Sequence, residues 1–488
     1  MVPGMMAYLL LVGITVLICV GIVLVLRKTR QWSFLVGMSI LYFWTFLGAW
    51  FFIGDALSGY QGYKIGLGYY YLMEKMFPFE LEHCYLVSLA GYGLFTLAIL
   101  AGVLFMSRSP VSTAAARMPM LQLDHRIFML VAVIASICSF ILVRPLVLLA
   151  FEQEESIYLV TRSTAFAGST LHAIFNEMAV FSVLLGWSFY LSSKRPRYFS
   201  VHGQAWAAWA YPVLLICLEL YLMMLGNKHE LVMAMVLGTL LFFVNSVRPD
   251  ARRLVSYLGL CMIPLFITGK IRGASLQEIS SLEVQKAPEV EPFSVPIIEH
   301  VPRGPKPTGF VMRLGQAFLS NEMFAAHFSL YGICREEVQP VQGVSAKYLV
   351  ASVIPRVLKA DRPASAYDEY AAQAGLVVGQ GYTIHQAAGW YMNGGWVMVA
   401  IGGLFLGLIW GLLMRWSARP IGNSITMKVI SIMGTSCWIA YLPILVRDGP
   451  ETFKALLVEG FGIPIAVVLL SATVAKMLRK EHVGSHGA

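Results

Sequence analysis

The chain has 488 residues, 58% of them hydrophobic and only 13% charged, with a mean hydropathy of +0.69. Ordinary globular chains are about half apolar and about a quarter charged, so this balance excludes a soluble enzyme, a disordered chain and a disulfide-stapled secreted scaffold. The net charge of +9 reads as basic residues gathered in cytoplasmic loops; no aromatic-basic block marks a nucleic-acid surface, and no nucleic-acid partner is expected.

Apolar runs fall at about 5–26, 33–54, 84–106, 127–150, 170–191, 205–225, 231–246, 254–269, 395–414, 424–446 and 455–475, most of them near the roughly 20 residues that cross a bilayer. The first run is too long for a signal-peptide core and lacks a small-residue cleavage site, so it is expected to stay as an anchor. One set of loops carries Arg27, Lys28 and Arg30, then Arg108, Arg117 and Arg126, Lys194, Arg195 and Arg197, Arg248, Arg252 and Arg253, Arg415 and Arg419, and Lys476, Arg479 and Lys480. The alternating short loops carry few cations, which puts the N-terminus outside and the C-terminus in the cytoplasm. The expected fold class is an all-α polytopic membrane protein of about 11 transmembrane helices with one long external loop containing short helices. The expected organisation is 1–269 as spans one to eight, 270–394 as the external region, and 395–488 as the last three spans with a short cytoplasmic tail.

Glu278–Pro307 is rich in Pro, Glu and Ser and reads as an extended strap. The later insert has helical apolar spacing, as in Tyr348-Leu349-Val350-Val353-Ile354. No repeat of spans is visible, which weighs against an inverted-repeat transporter. Of seven cysteines, five sit in apolar runs; Cys84 and Cys334 lie on one side and could pair.

Ionisable residues inside apolar runs are costly and default to functional candidates; here they are Arg144, Glu177 and Glu219. A tight polar turn, Gly226-Asn227-Lys228-His229-Glu230, joins spans six and seven, and Arg447-Asp448-Gly449 joins spans ten and eleven. The insert ends in a mainly cationic segment, Ile354-Pro355-Arg356-Val357-Leu358-Lys359-Ala360-Asp361-Arg362-Pro363. After it come Gly379-Gln380-Gly381-Tyr382-Thr383-Ile384-His385-Gln386 and Gly389-Trp390-Tyr391-Met392-Asn393-Gly394-Gly395. Trp390 and Tyr391 suit a membrane interface or the face of a sugar. No nucleotide loop, paired zinc ligands, nucleophile elbow or dinucleotide fingerprint is present, so no cofactor and no metal are expected.

These segments, with Gly402-Gly403-Leu404-Phe405-Leu406-Gly407-Leu408 inside span nine, resemble the bacterial oligosaccharide repeat-unit polymerases, the Wzy-type O-antigen polymerase family. Leu225-Gly226-Asn227-Lys228 resembles that family's Gly-x-Arg turn, with lysine in the arginine's place. The resemblance implies a metal-independent glycosyltransferase of the bacterial inner membrane. It would move a growing glycan from polyprenyl diphosphate to a hydroxyl of the next lipid-linked repeat unit, with a chain-length regulator as a possible protein partner. Such a reaction needs cations for the diphosphate, a base for the acceptor hydroxyl and a sugar groove. The cations are expected to be Arg356, Arg362 and Arg447, with Arg144 and Lys228 behind them, and the base His385, then Asp361 or Glu369. The alternatives are an O-antigen ligase, a GT-C enzyme using carboxylates of the first loop (Asp55, Glu74, Glu80, Glu82), and a lipid-linked-sugar transporter or flippase.

Overall fold

The computed structural model describes residues 3–58, 83–107, 120–153, 160, 169–192, 196–201, 206–225, 229–271, 326–353, 362–375, 383–418 and 424–484. Every expected apolar run is found as helix over the described residues. They are α1 (Pro3–Thr29), α2 (Trp32–Ser58), α3 (His83–Met106), α4 (His125–Gln153), α5 (Ser169–Ser192), α6 (Ala207–Leu225), α7 (His229–Asn245) and α8 (Ala251–Ile271). The insert contributes α9 (Ser329–Arg335), α10 (Val344–Val353), α11 (Ala366–Gln373) and α12 (Gln386–Met392). Then come α13 (Gly395–Ala418), α14 (Ile425–Arg447), a short turn over Pro450–Ala455, a π-helical stretch Leu456–Gly462, and α15 (Ile463–Gly484). Eight helices among the described residues are long and apolar enough to cross a membrane; Ala207–Leu222 and Glu230–Asn245 are shorter apolar helices. The chain is thus a mostly helical integral membrane protein. Helix is what lipid demands, because hydrocarbon offers no partner to a backbone N–H or C=O.

The chain divides into two compact units that interleave along the sequence. The first comprises Met1–Val111, Ser294–Ala418 and Tyr441–Leu456, and so joins the described part of the insert with α1–α3 and α13. The second comprises Ser112–Phe293, Arg419–Ala440 and Leu457–Ala488.

In the first unit, α1 buries Ala7, Leu11, Ile14, Ile18 and Val25, one stripe at helical spacing, and exposes Leu9, Val16, Leu17, Val20 and Leu24. An apolar exposed face is what a lipid solvent selects. The tightest helix pair is α3 with α13. A Cβ on Gly407 would overlap the Ile99 carbonyl, and one on Gly102 would stand 2.5 Å from the Leu404 carbonyl oxygen. Small residues therefore let the two backbones touch, the usual source of helix association in lipid.

The second unit adds a feature that its helical composition conceals. Leu121–Leu123 and Phe199–Val201 pair as a parallel two-stranded ribbon, with Leu121 opposite Phe199. Asn245, at the end of α7, holds it: its Oδ1 accepts from the N–H groups of Tyr198 (3.0 Å) and Phe199 (2.8 Å), and its Nδ2 donates to Phe199 O and Ser192 Oγ. The described fold is therefore helical with one small ribbon. The Cys84–Cys334 pairing that the sequence left open is not formed. Both are free thiols, the Cys84 sulfur lying 3.8 Å from the Cys334 carbonyl oxygen, and burial pushes the Cys334 thiol up to about 12.

Candidate functional site

The site residues of the first unit are positioned by two polar networks. The inner one is built on two histidines. His385 is fully buried and caps α12: its Nδ1 accepts from the Ala387 N–H at 3.0 Å. The neutral ring then carries its proton on Nε2, which donates to Thr45 Oγ1 at 3.2 Å, and the His385 N–H donates to Ser329 Oγ. His327 donates from Nδ1 to the Thr45 carbonyl (2.9 Å) and accepts from the Tyr85 hydroxyl at Nε2 (3.0 Å). The Tyr92 ring stacks on His327 and meets His385 edge-on, at 5.1 and 4.6 Å between centroids. Burial takes His385 down to about 3, with His327 adding to the effect. Burial takes His327 down to about 4, partly opposed by the Thr45 carbonyl.

These histidines pin the insert to α2 and α3. With Nδ1 accepting and Nε2 donating, His385 has no lone pair to take a proton from a substrate hydroxyl. His385, the first choice of base from the sequence, thus serves as a helix cap in this geometry.

The outer network is built on Glu451. Its Oε1 accepts from Ser345 Oγ at 2.6 Å and from the Ala366 N–H at 2.9 Å, so one carboxylate faces the first turns of α10 and α11. Negative charge is favoured where helix N–H groups are unsatisfied. Asn393 extends the network: Nδ2 donates to Ser345 Oγ and the Gly389 carbonyl, and Oδ1 accepts from the Ser345 N–H. Lys454 Nζ donates to the Ser352 carbonyl near the other end of α10. The turn after α14 is thereby clamped along the insert. Its sharp bend is Gly449, at φ 74°, a conformation that favours glycine.

Arg447 stands at the start of this turn. Its Nε and Nη2 donate to the two oxygens of Asp448, both at 2.8 Å, and the pair is about a quarter exposed. The next residues, Gly449 and Pro450, lie against Gly389 of α12, where a Cβ would overlap the proline ring. Trp390, the following residue, is half-buried against Gly402 and meets Phe405 edge-on at 6.3 Å; Tyr391 meets Trp396 at 5.0 Å. Glu369 is half-buried in the first turn of α11, beside the Ser365–Asp368 capping box. Arg362 is half-buried four residues before Ala366, whose N–H Glu451 holds.

The first unit thus contains His385, Trp390, Tyr391, Arg447, Glu369 and Arg362. Arg144 belongs to α4 in the second unit and is exposed. Lys228, Arg356 and Asp361, with Glu74, Glu80, Glu82 and the Glu278–Pro307 strap, lie outside the described residues. Sequence reasoning missed Glu451, Ser345 and His327. Glu451 lay two residues beyond a turn already singled out, but nothing in its spacing announced a partner 85 residues upstream.

The second unit holds the intramembrane carboxyl groups. Glu177 is almost fully buried, with Glu459 of the π-helical stretch and Glu230 close enough to act on it electrostatically. Nearby on the chain, His172 Nε2 and Ser139 Oγ both meet the Tyr221 hydroxyl, at 3.1 and 2.9 Å. Glu219 is also buried.

No protein-family model, curated protein or solved structure matches this chain.

Proposed function

We propose that the chain polymerises polyprenyl-diphosphate-linked oligosaccharide repeat units at the external face of a bacterial inner membrane. The observation that carries the reading is the turn Arg447–Thr452. It carries a two-pronged guanidinium, packs Gly449 and Pro450 against Gly389 of α12, and is clamped by Glu451 to the insert. In the reaction, a hydroxyl of the acceptor unit attacks the anomeric carbon of the donor glycan. The bond from that carbon to the diphosphate oxygen breaks, polyprenyl diphosphate leaves, and the hydroxyl proton passes to a base.

Arg447 is suited to the departing diphosphate because its fork binds two oxygens at once. Asp448 holds that fork flat and in register until the diphosphate exchanges with it. Among the described candidates Glu369 is the one suited to serve as base, since His385 is spent as a cap. Arg362 adds a further cation from the insert. An O-antigen ligase would use the same donor chemistry and differ only in its acceptor.

The test is genetic and chemical. Arg447→Ala in the producing cell should leave the protein in the membrane at normal level but stop chain extension, giving single repeat units in place of long glycans. Normal long chains from this variant would overturn the proposal.

A second reading, a proton-coupled transporter of lipid-linked sugar, is favoured by one observation: the carboxyl groups of Glu177 and Glu230 are buried within apolar helices. It requires that Glu177→Gln abolish pH-driven movement of the lipid across reconstituted vesicles, while Arg447→Ala preserves it.

A further inference from the structure

Polar side chains around α12 fall into two groups. His385 and Asn393, at its two ends, are fully engaged and fix the helix. Gln386, Trp390 and Thr383 make no side-chain hydrogen bond. Gln386 is completely buried, and neither its amide oxygen nor its amide nitrogen has a hydrogen-bond partner; the Trp390 Nε1 and Thr383 Oγ1 atoms are likewise buried and unpartnered. Gln386 and Trp390 are four apart and so share one face of the helix. Thr383 stands two residues before its cap. Buried polar groups are nearly always paired, and leaving them unpaired is costly. Such a cost is expected where a site is built for a ligand.

The donor set identifies the ligand class. An amide both donates and accepts, a hydroxyl does both, and an indole N–H only donates. A matching ligand must also do both, as neighbouring sugar hydroxyls do. A diphosphate only accepts and would leave the Gln386 oxygen unpaired, and a polyprenyl tail offers neither function. Trp390 is half-buried, and an indole ring suits the apolar C–H face of a pyranose. The turn that carries Arg447 and Asp448 packs against Gly389 of this helix. A sugar held here would therefore present its linkage near the diphosphate clamp.

We infer that the Thr383–Gln386–Trp390 edge of α12 is a sugar-binding subsite that reads the hydroxyls of the glycan; the inference rests on the polymerase reading for the identity of that glycan.

The test uses the full chain in detergent, with the methyl glycosides of glucose, galactose, mannose and N-acetylglucosamine as probes and triglycine as the peptide control. Saturation-transfer NMR should give saturable binding of at least one glycoside. Gln386→Leu should weaken it about tenfold, the value of one lost hydrogen bond of about 1.4 kcal/mol. The same variant should melt no lower than the parent, because an apolar side chain relieves an unpaired amide. Trp390→Phe, which keeps a ring and removes the N–H, should weaken binding too.

Absence of saturable glycoside binding, equal competition by triglycine, or unchanged binding by Gln386→Leu would each overturn the subsite. So would a clear drop in the melting temperature of Gln386→Leu, which would assign the amide to structure. The two proposals fail separately. Glycoside binding with long chains persisting in Arg447→Ala removes the polymerase and leaves the subsite. Lost chains in that variant, without glycoside binding, remove only the subsite.

Discussion

Single residues show how burial redirects chemistry. His385 has the side chain of a general base, and its neighbourhood turns it into a helix cap. Because His327 and His385 are neutral when folded and their folded values lie near 4 and 3, the unfolded chain takes up protons first as pH falls. Stability should be level above pH about 6.5 and decline as pH drops toward 4 and below, by up to about 1.4 kcal/mol per unit and histidine. Thermal unfolding in detergent across that window checks this; a His385→Asn variant, which can still cap but not titrate, should show a shallower decline. An equally steep curve would assign the acid sensitivity elsewhere. Glu451 makes a companion case. Glu451→Ala should cost about 1.5–3 kcal/mol, the usual worth of hydrogen bonds to a charged group, while Glu451→Gln, which still offers an acceptor oxygen, should cost much less. Equal losses would mean that charge rather than hydrogen bonding holds α10 and α11.

At the scale of elements, the helices were the most legible part of the sequence. Hydropathy located each apolar run because a spanning helix has no other way to satisfy its backbone. It could not say which glycines matter. Gly407 of α13 touches the backbone of α3, whereas nothing stands within 4 Å of a Cβ on Gly13 in the exposed face of α1. Gly407→Val should therefore destabilise by about 1–3 kcal/mol or more through overpacking. Gly13→Ala should be neutral or stabilise by up to about 1 kcal/mol through helix propensity. Comparing the two melting temperatures checks both, and a tolerant Gly407 would mean that α3 and α13 separate without cost. The ribbon of Leu121–Leu123 and Phe199–Val201 was illegible, since three-residue strands carry too little periodicity and pair across more than 70 residues. The π-helical stretch that carries Glu459 was hidden for a similar reason, because one extra residue in a turn leaves no mark on hydropathy.

For the whole molecule, the distribution of Lys and Arg predicts the insert outside and the C-terminus in the cytoplasm. Reporter fusions after residue 340 and after residue 484 should report opposite sides of the membrane; the same side for both would overturn the topology and, with it, the external site. Composition and hydropathy alone determined the solvent, the helical class and the position of each apolar helix, because lipid constrains every residue of a span in the same way. They also brought Arg447 and the 383–395 segment to attention through residue type. Only the tertiary structure decided which of these residues act together. Glu451 meets α10 and α11 from more than 80 positions away, His385 is consumed by the cap it forms, and Gln386 is left buried without a partner. Pairing and burial depend on residues distant in the chain, and no local pattern encodes them.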